Sequence, residues 1–132
     1  MPDDTEVVII GIGMHPFGRH DGVSGLEQGA AAARAALADA GCDWSDIDVA
    51  YGGSLASGAA DSLVGILGLT GVPFINVSNG CATGGSALLS AFDALRSRRF
   101  DLGLVVGFDK HPRGAFNADP ANAALADRYA II

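Results

Sequence analysis

Residues 74–98 read FINVSNGCATGGSALLSAFDALRSR, and this stretch decides the fold class. Its first four residues, Phe74–Val77, are aromatic or β-branched apart from one asparagine, which predicts a short strand. The next three, Ser78–Gly80, are typical of a tight turn, and Cys81 then opens a predicted helix that ends near Arg98. The apolar stripe of that helix consists of Leu88, Phe92 and Leu95. A strand that runs through a short turn into a helix is the repeating unit of α/β proteins.

Strands and helices alternate along the rest of the chain. Short apolar runs predict three further strands, at Val7–Ile12, Val49–Gly52 and Leu102–Phe108. We expect the first of these to be buried on both faces. Periodic apolar residues predict helices at Leu26–Ala40 and from residues 61–62 to Leu69. The resulting order β-α-β-α-β-α-β predicts an α/β fold, with a mostly parallel sheet covered by helices on both faces.

The helix at Leu26–Ala40 has the clearest boundaries in the sequence. Ser24 precedes it and Glu27 follows three residues later, which is the spacing of a capping box. Gly41 comes directly after the last periodic residue, where glycine commonly ends a helix. The sequence therefore predicts both ends of this helix from local residues alone.

The composition fits one folded domain over residues 1–132. Hydrophobic residues make up 49% of the chain and charged residues 17%, which excludes a wholly disordered chain. After the last predicted strand the pattern weakens to a loop at Lys110–Asp119 and a helix at Ala121–Ala130.

Charge and cysteine content limit the partners and the compartment. The net charge of −7 repels phosphate backbones and argues against a nucleic-acid partner. We interpret the basic run Arg96–Arg99 as the solvated end of a helix rather than a phosphate site. Cys42 and Cys81 form no disulfide framework, and the acidic start Met1–Glu6 does not resemble a targeting peptide. The sparse cysteines lead us to expect a cytoplasmic protein. No apolar run reaches about 18 residues, so we expect no membrane span.

Cys81 is the candidate nucleophile. It stands at the junction of strand, turn and helix, where unpaired N–H groups and the helix dipole stabilise a thiolate. Such a junction also holds a nucleophile away from the backbone, and its N–H groups can stabilise an oxyanion. The alternative is a small buried cysteine, with Gly84-Gly85 serving close helix packing. The local pattern does not separate these two interpretations.

Four segments of the chain resemble the thiolase family, in the order in which that family carries them. NVSNGCATGGSAL, at 76–88, resembles the nucleophile motif of thiolases of the sterol-carrier-protein or lipid-transfer-protein type. VVIIGIGMHPFGRH, at 7–20, is similar to the opening of that family, and WSDIDVAYGGS, at 44–54, to its next segment. VVGFDKHPRGAF, at 105–116, is similar to the segment after the fourth strand.

The resemblance implies both a fold and a reaction. Thiolases have two βαβαβαββ halves, each with a five-stranded mixed sheet, and a cysteine that opens a helix of the first half. That cysteine corresponds to Cys81 and takes an acyl group from a coenzyme A thioester, which is the substrate, so no separate cofactor is implied. The strand at Phe74–Val77 would pair with its twin in a homodimer. The expected activity is that of a 3-ketoacyl-CoA thiolase, or acetyl-CoA acyltransferase, in lipid or sterol metabolism.

Several parts of the family pattern have no counterpart here. The glycine-histidine-proline segment that activates the nucleophile and the second catalytic cysteine, which the second half of thiolases supplies, are missing. The fifth strand is missing too, which implies an incomplete first half. His111 precedes a proline but follows the fourth strand, so we do not interpret it as the catalytic histidine. Cys42 follows the first helix, and we expect it to serve packing. Activity would then require a further segment or a completing thiolase chain.

Three smaller patterns also invite a function. His15 and His20 suggest a metal site, but a solvated loop is the better interpretation because further ligands are lacking. The glycines at 11–13 suggest a dinucleotide site, but no helix opens after them. Asp109-Lys110 ends the fourth strand, where α/β sheets bind ligands, although we favour an ordinary ion pair.

Two further functions stay open for the chain as a whole. A thiolase-like fragment can act as a non-catalytic assembly subunit, or bind acyl-CoA without turnover. Some lipid-transfer-type relatives are aldolases that do not rely on the cysteine, and the presence of Cys81 argues against that alternative.

Overall fold

The computed structural model describes residues 6–112, and the helix expected at Ala121–Ala130 lies outside them. Most of the loop expected at Lys110–Asp119 lies outside them as well. The helices are α1 (Gly25–Ala40), α2 (Val64–Leu67) and α3 (Thr83–Arg96). The strands are β1 (Val49–Gly53), β2 (Phe74–Asn76) and β3 (Gly103–Gly107). Single 3₁₀ turns at Trp44–Asp46, Ala60–Leu63 and Gly80–Ala82 complete the described elements.

The three strands form one parallel sheet in the order β2-β1-β3. Ala50 pairs with Phe74 on one side and with Leu104 on the other. The parallel sheet confirms the predicted fold class. Because the strands run in the same direction, the loops that follow them meet at one edge of the sheet, which is named here the carboxyl edge.

Helices cover both faces of the sheet, as predicted. Ala50, Leu104 and Val106 belong to the same buried cluster as Ala33 and Leu37 of α1. The alternate residues of β1 and β3 face α3, and there Val49 is fully buried. The main core lies between α1 and the sheet, where Trp44, Ile47, Leu63 and Phe108 complete it.

The local signals at the ends of α1 are confirmed. The Glu27 amide donates to Ser24 Oγ at 3.1 Å, and the Ser24 amide donates to the Glu27 carboxylate at 2.7 Å. These hydrogen bonds from the backbone and side chain of Ser24 hold the pKa of Glu27 below its usual value. Gly41 takes the left-handed conformation, with φ 69°, and its amide caps the last carbonyls of the helix.

The strand predicted at Val7–Ile12 is wrong. The segment is extended but pairs with none of the described strands, and its side chains at Val8, Ile9, Ile10 and Ile12 are 54–74% exposed. It is held against α1 instead, where Ile12 donates its amide to Asp39 at 2.9 Å and a Cβ at Gly13 would collide with the α1 backbone. A groove of about 1020 Å³ lies between this segment, α1, α3 and β3.

Two helix boundaries also differ from the prediction. The helix expected to run to Leu69 ends at Leu67, and its first turn is the 3₁₀ turn Ala60–Leu63. The helix expected to open at Cys81 begins at Thr83. Cys81 therefore lies in a 3₁₀ turn before the helix, because the preceding polar turn continues for two more residues.

Candidate active site

Cys81 is placed at the carboxyl edge by the end of β2. After Asn76 the chain stays tied to the sheet, because the Val77 amide donates to the Gly52 carbonyl at 2.8 Å. The chain then turns through residues 78–80 and enters the 3₁₀ turn that contains Cys81. The thiol is free and exposed, which argues against the interpretation of Cys81 as a small buried residue.

A hydroxyl group closes the turn around Cys81. Thr83 Oγ1 accepts from the Asn79 amide and donates to the Gly80 carbonyl, both at 2.8 Å. Asn79 Nδ2 also donates to Ser86 Oγ at 2.8 Å. Gly80 has a positive φ of 53°, the left-handed conformation that favours glycine. The turn before the cysteine is thus fixed by its own polar groups.

The first turn of α3 is open on one side. A Cβ built on Gly84 or on Gly85 would meet no atom within 4 Å. Within residues 6–112 the packing of α3 on the sheet therefore does not require glycine at these two positions, which argues against the packing alternative. They leave free space beside the helix start, one turn from Cys81.

Asp109 ties two loops of the carboxyl edge together. Its carboxylate accepts from the amides of Leu55 and Ala56 at 3.0 and 2.8 Å, and from the hydroxyls of Ser54 and Ser57 at 3.1 and 3.3 Å. Partial burial opposes ionisation, but the amide donors outweigh it and hold the pKa of Asp109 below its usual value. The loop after β1 is therefore fixed by the residue that follows β3.

The ion pair expected between Asp109 and Lys110 is wrong. Asp109 pairs with His111 instead, whose Nε2 lies 3.2 Å from the carboxylate. Lys110 points the other way, and its ammonium group donates to the His20 carbonyl at 2.7 Å and to the Val23 carbonyl. Adjacent residues in an extended segment point to opposite sides, so neighbouring charges meet different partners.

The other singled-out residues do not join this site. The rings of His15 and His20 both bond to the Pro16 carbonyl, at 3.0 and 2.8 Å. In the part of the chain that the structure describes, no group of three potential metal ligands occurs. The glycines at 11–13 pack on α1, and the next helix starts only at Gly25. Cys42 is partly buried against the core, which agrees with its expected packing role.

The family model described as the N-terminal domain of thiolase matches residues 7–119. The chain belongs to the thiolase family. This match confirms the family suggested by the four sequence segments. Among residues 6–112, no helix combines the length and the apolar composition needed to cross a membrane.

Curated relatives include sterol carrier proteins and an acetyl-CoA acetyltransferase. Sterol carrier protein 2 of Oryctolagus cuniculus is 34% identical over 120 residues, which is 85% of this thiolase chain and 22% of that protein. Sterol carrier protein 2 of Homo sapiens is 34% identical over 118 residues. An acetyl-CoA acetyltransferase of Methanothermobacter thermautotrophicus is 29% identical, with 93% of this chain and 34% of that protein covered. The chain thus spans about a fifth to a third of the length of these relatives.

Solved structures with a similar fold include two enzymes named as synthases. A 3-oxoacyl-[acyl-carrier-protein] synthase III from Aquifex aeolicus matches with a TM-score of 0.64 at 22% identity, covering 68% of this chain and 31% of that one. The priming β-ketosynthase of the R1128 polyketide pathway matches with a TM-score of 0.62 at 26% identity, covering 68% and 28%. These likenesses agree with the thiolase-like fold.

The sequence pattern predicts Cys81 as a site residue, but it does not indicate the residues that fix the loops at the carboxyl edge. Thr83 and Asp109 act through partners that a pattern search does not connect, and Asp109 lies more than fifty positions from the loop it fixes. A weak signal for Thr83 existed: it is the one β-branched residue in the first, very small turn after Cys81.

Proposed function

We propose that this chain carries the nucleophile-bearing part of a thiolase-type acyltransferase, with Cys81 as the residue that accepts the acyl group. One observation carries the proposal: in a thiolase N-terminal domain, an exposed free thiol stands in the turn between β2 and α3. The substrate is a coenzyme A thioester, and no separate cofactor takes part. The names of the relatives favour lipid or sterol metabolism.

The chemical step follows from the thiol and its place in the chain. The Cys81 thiolate attacks the thioester carbonyl, the bond between that carbon and the coenzyme A sulfur breaks, and an acyl-enzyme thioester forms. Coenzyme A leaves as a thiolate and receives the proton that Cys81 gave up to a general base. Backbone N–H groups at the start of α3 can stabilise the oxyanion in between.

The general base lies outside residues 6–112 in this proposal. His111 is bonded to Asp109, and Lys110 is bonded to the loop before α1, so both have other roles. A histidine and a second acid–base group are supplied by a further segment or by a completing thiolase chain. A homo-oligomer through the β2 edge and a cytoplasmic location stay predictions.

A non-catalytic assembly subunit is the second candidate. The exposed apolar side chains of Val7–Ile12, together with Leu88 and Leu89 of α3, favour association with another chain. This candidate predicts a binding surface without thiol chemistry. Lipid-transfer-type aldolase activity is the third, and an exposed Cys81 argues against it.

Thiol chemistry on the full chain separates these candidates. We expect iodoacetamide to alkylate Cys81 faster in the folded chain than in the urea-unfolded chain, because an activated nucleophile requires the folded surroundings of the turn before α3. Cys42 is the internal control and should react more slowly when folded. We also expect incubation with acetyl-CoA or decanoyl-CoA to leave an acyl group on Cys81, detected by peptide mass, and a Cys81→Ser variant to lose it.

The opposite results would favour assembly. If folding does not accelerate Cys81 and neither thioester protects or acylates it, the acyltransferase proposal is wrong for this chain. A Cys42→Ala variant should leave the acylation of Cys81 unchanged, which shows that the modified thiol is the intended one.

A further inference from the structure

We infer that Thr83 is the positioning residue for Cys81, an inference that rests on the proposed function of that cysteine. Thr83 is the one buried polar residue in the described part of the chain, with 7% of its surface exposed. It lies two positions after Cys81 and reaches back over it to the turn. Its hydroxyl has one proton to donate and lone pairs to accept, and both capacities are used.

The hydroxyl joins the two residues that precede the cysteine. It accepts from the Asn79 amide and donates to the Gly80 carbonyl, each at 2.8 Å, which are good distances for these groups. The bonds close a ring that contains the Cys81 backbone. Because Gly80 has the freedom of glycine and a left-handed φ of 53°, the turn needs such a tie to keep one conformation.

The methyl group of Thr83 fixes the direction of the hydroxyl. A Cβ built on Gly53, the last residue of β1, would collide with Thr83 Cγ2 and with the Val77 carbonyl. The Thr83 methyl therefore lies directly on the β1 backbone. A β-branched side chain has few rotamers, so a methyl held against the strand points the hydroxyl at the turn.

The residue type follows from these two contacts. Valine would keep the methyl contact with Gly53 and lose both hydrogen bonds. Serine would keep the hydrogen bonds and lose the methyl contact. Of these three residue types, only threonine makes both contacts. It thereby fixes the turn that holds Cys81 relative to the end of β1.

A pair of variants tests the inference on the full chain. Thr83→Val removes the hydroxyl, Thr83→Ser retains it, and Thr70→Val makes the same chemical change at an exposed threonine outside the turn. The probe is decanoyl-CoA, and the readouts are the acylation rate of Cys81 and its alkylation rate by iodoacetamide. Misplacing a reacting group by about 1 Å costs up to 10²-fold in rate. Alkylation by a small reagent depends less on the exact position of the thiol.

The expected pattern is specific to positioning. Thr83→Val should lower acylation about tenfold or more, with alkylation of Cys81 changed about threefold or less. Thr83→Ser should recover most of the acylation rate, and Thr70→Val should match the wild type. Cys42 alkylation should stay close to the wild type in all three, which shows that the core around α1 is intact. The urea midpoint should fall in Thr83→Val, because the Asn79 amide and the Gly80 carbonyl lose their partner.

Other outcomes overturn the inference. Equal acylation by Thr83→Val and the wild type shows that the hydroxyl is not needed, and a loss in Thr83→Ser without a loss in Thr83→Val assigns the effect to the methyl contact. If the wild type takes no acyl group, the proposed function fails separately. Amide hydrogen exchange at Asn79 then decides: protection in the wild type and serine variant supports the tie, and its persistence in Thr83→Val refutes it.

Discussion

The carboxyl edge of the sheet and the open side of the molecule are built from opposite kinds of sequence. At the carboxyl edge, Asp109 bonds the segment after β3 to the loop after β1, and Thr83 closes the turn after β2 on itself. The open side comprises the Val7–Ile12 segment, the outer edge of β3 and the facing residues of α3, and there apolar side chains lie exposed around a groove of about 1020 Å³. Polar residues thus form the hydrogen-bonded region, and apolar residues form the exposed one.

This difference shows that an apolar run can indicate a surface to be covered without indicating a strand. A run of β-branched residues indicates a surface that needs to be covered, but it forms a strand only when another backbone lies beside it. Val7–Ile12 has the first property and lacks a strand partner among residues 6–112. The carboxyl edge needs no cover because its polar groups are satisfied within it.

The largest expected effect comes from a methyl group added at the carboxyl edge. Gly53→Ala places a Cβ against the Val77 carbonyl and Thr83 Cγ2, and backbone cannot yield easily. We expect a loss of about 2–3 kcal/mol in the free energy of unfolding, as is typical of overpacking. Urea unfolding followed by circular dichroism measures it.

Gly84→Ala is the matched control for that substitution. A Cβ at Gly84, on the helix start that borders the groove, meets nothing within 4 Å. Alanine is the better helix former by about 0.5–1 kcal/mol, so this variant should unfold at the same or a slightly higher urea concentration. If both variants lose a similar free energy of unfolding, the space around Gly53 and the space around Gly84 do not differ as described.

The predictability of the two regions also differs, for a physical reason. The ends of α1 follow from Ser24, Glu27 and Gly41 because capping involves residues three or four apart. The turn before Cys81 is equally local. It predicts a helix start at Cys81, two residues before the observed start at Thr83. Local chemistry of this kind is fully contained in a short stretch of sequence.

Long-range features could not be predicted in the same way. The strand order β2-β1-β3 depends on which crossovers pack, and no single segment encodes it. The bonds of Asp109 to the loop after β1 join residues more than fifty positions apart. The apolar run at Val7–Ile12 has the composition of a buried strand, and only the absence of a partner strand among residues 6–112 distinguishes it from one.

A second substitution removes the negative charge of Asp109, which ties two loops together. Asp109→Asn keeps the size of the side chain but replaces one acceptor oxygen by a donor, which then faces the N–H and O–H donors of the Ser54–Ser57 loop. We expect a loss of about 1–2 kcal/mol, below the full value for a charged hydrogen bond because the carboxylate is partly exposed to solvent. Urea unfolding at pH 7 measures it, and hydrogen exchange in the loop should rise.

The pH dependence of stability tests the contribution of the Asp109 carboxylate in a second way. The pKa of Asp109 is lowered on folding, so its contribution is present above the unfolded pKa and is lost as pH falls through the folded pKa. We expect the urea midpoint of the wild type to fall on acidification below about pH 4, near the ordinary pKa of an aspartate. Asp109→Asn should show a shallower fall, and a parallel fall in both proteins would assign the effect to other carboxylates.

The smallest expected effect lies on the open side. Ile9→Thr changes a side chain that is 72% exposed, and surface substitutions of this kind alter stability by about 0.5 kcal/mol or less. Ile47→Thr makes the same change in the core, where the isoleucine is 6% exposed, and should cost several times more. Sedimentation of the Ile9→Thr chain should show weaker self-association than the wild type, because one apolar group is removed from the exposed surface. A large loss of stability with Ile9→Thr would mean that the segment is already buried in solution, most simply by another copy of the chain lying over the groove.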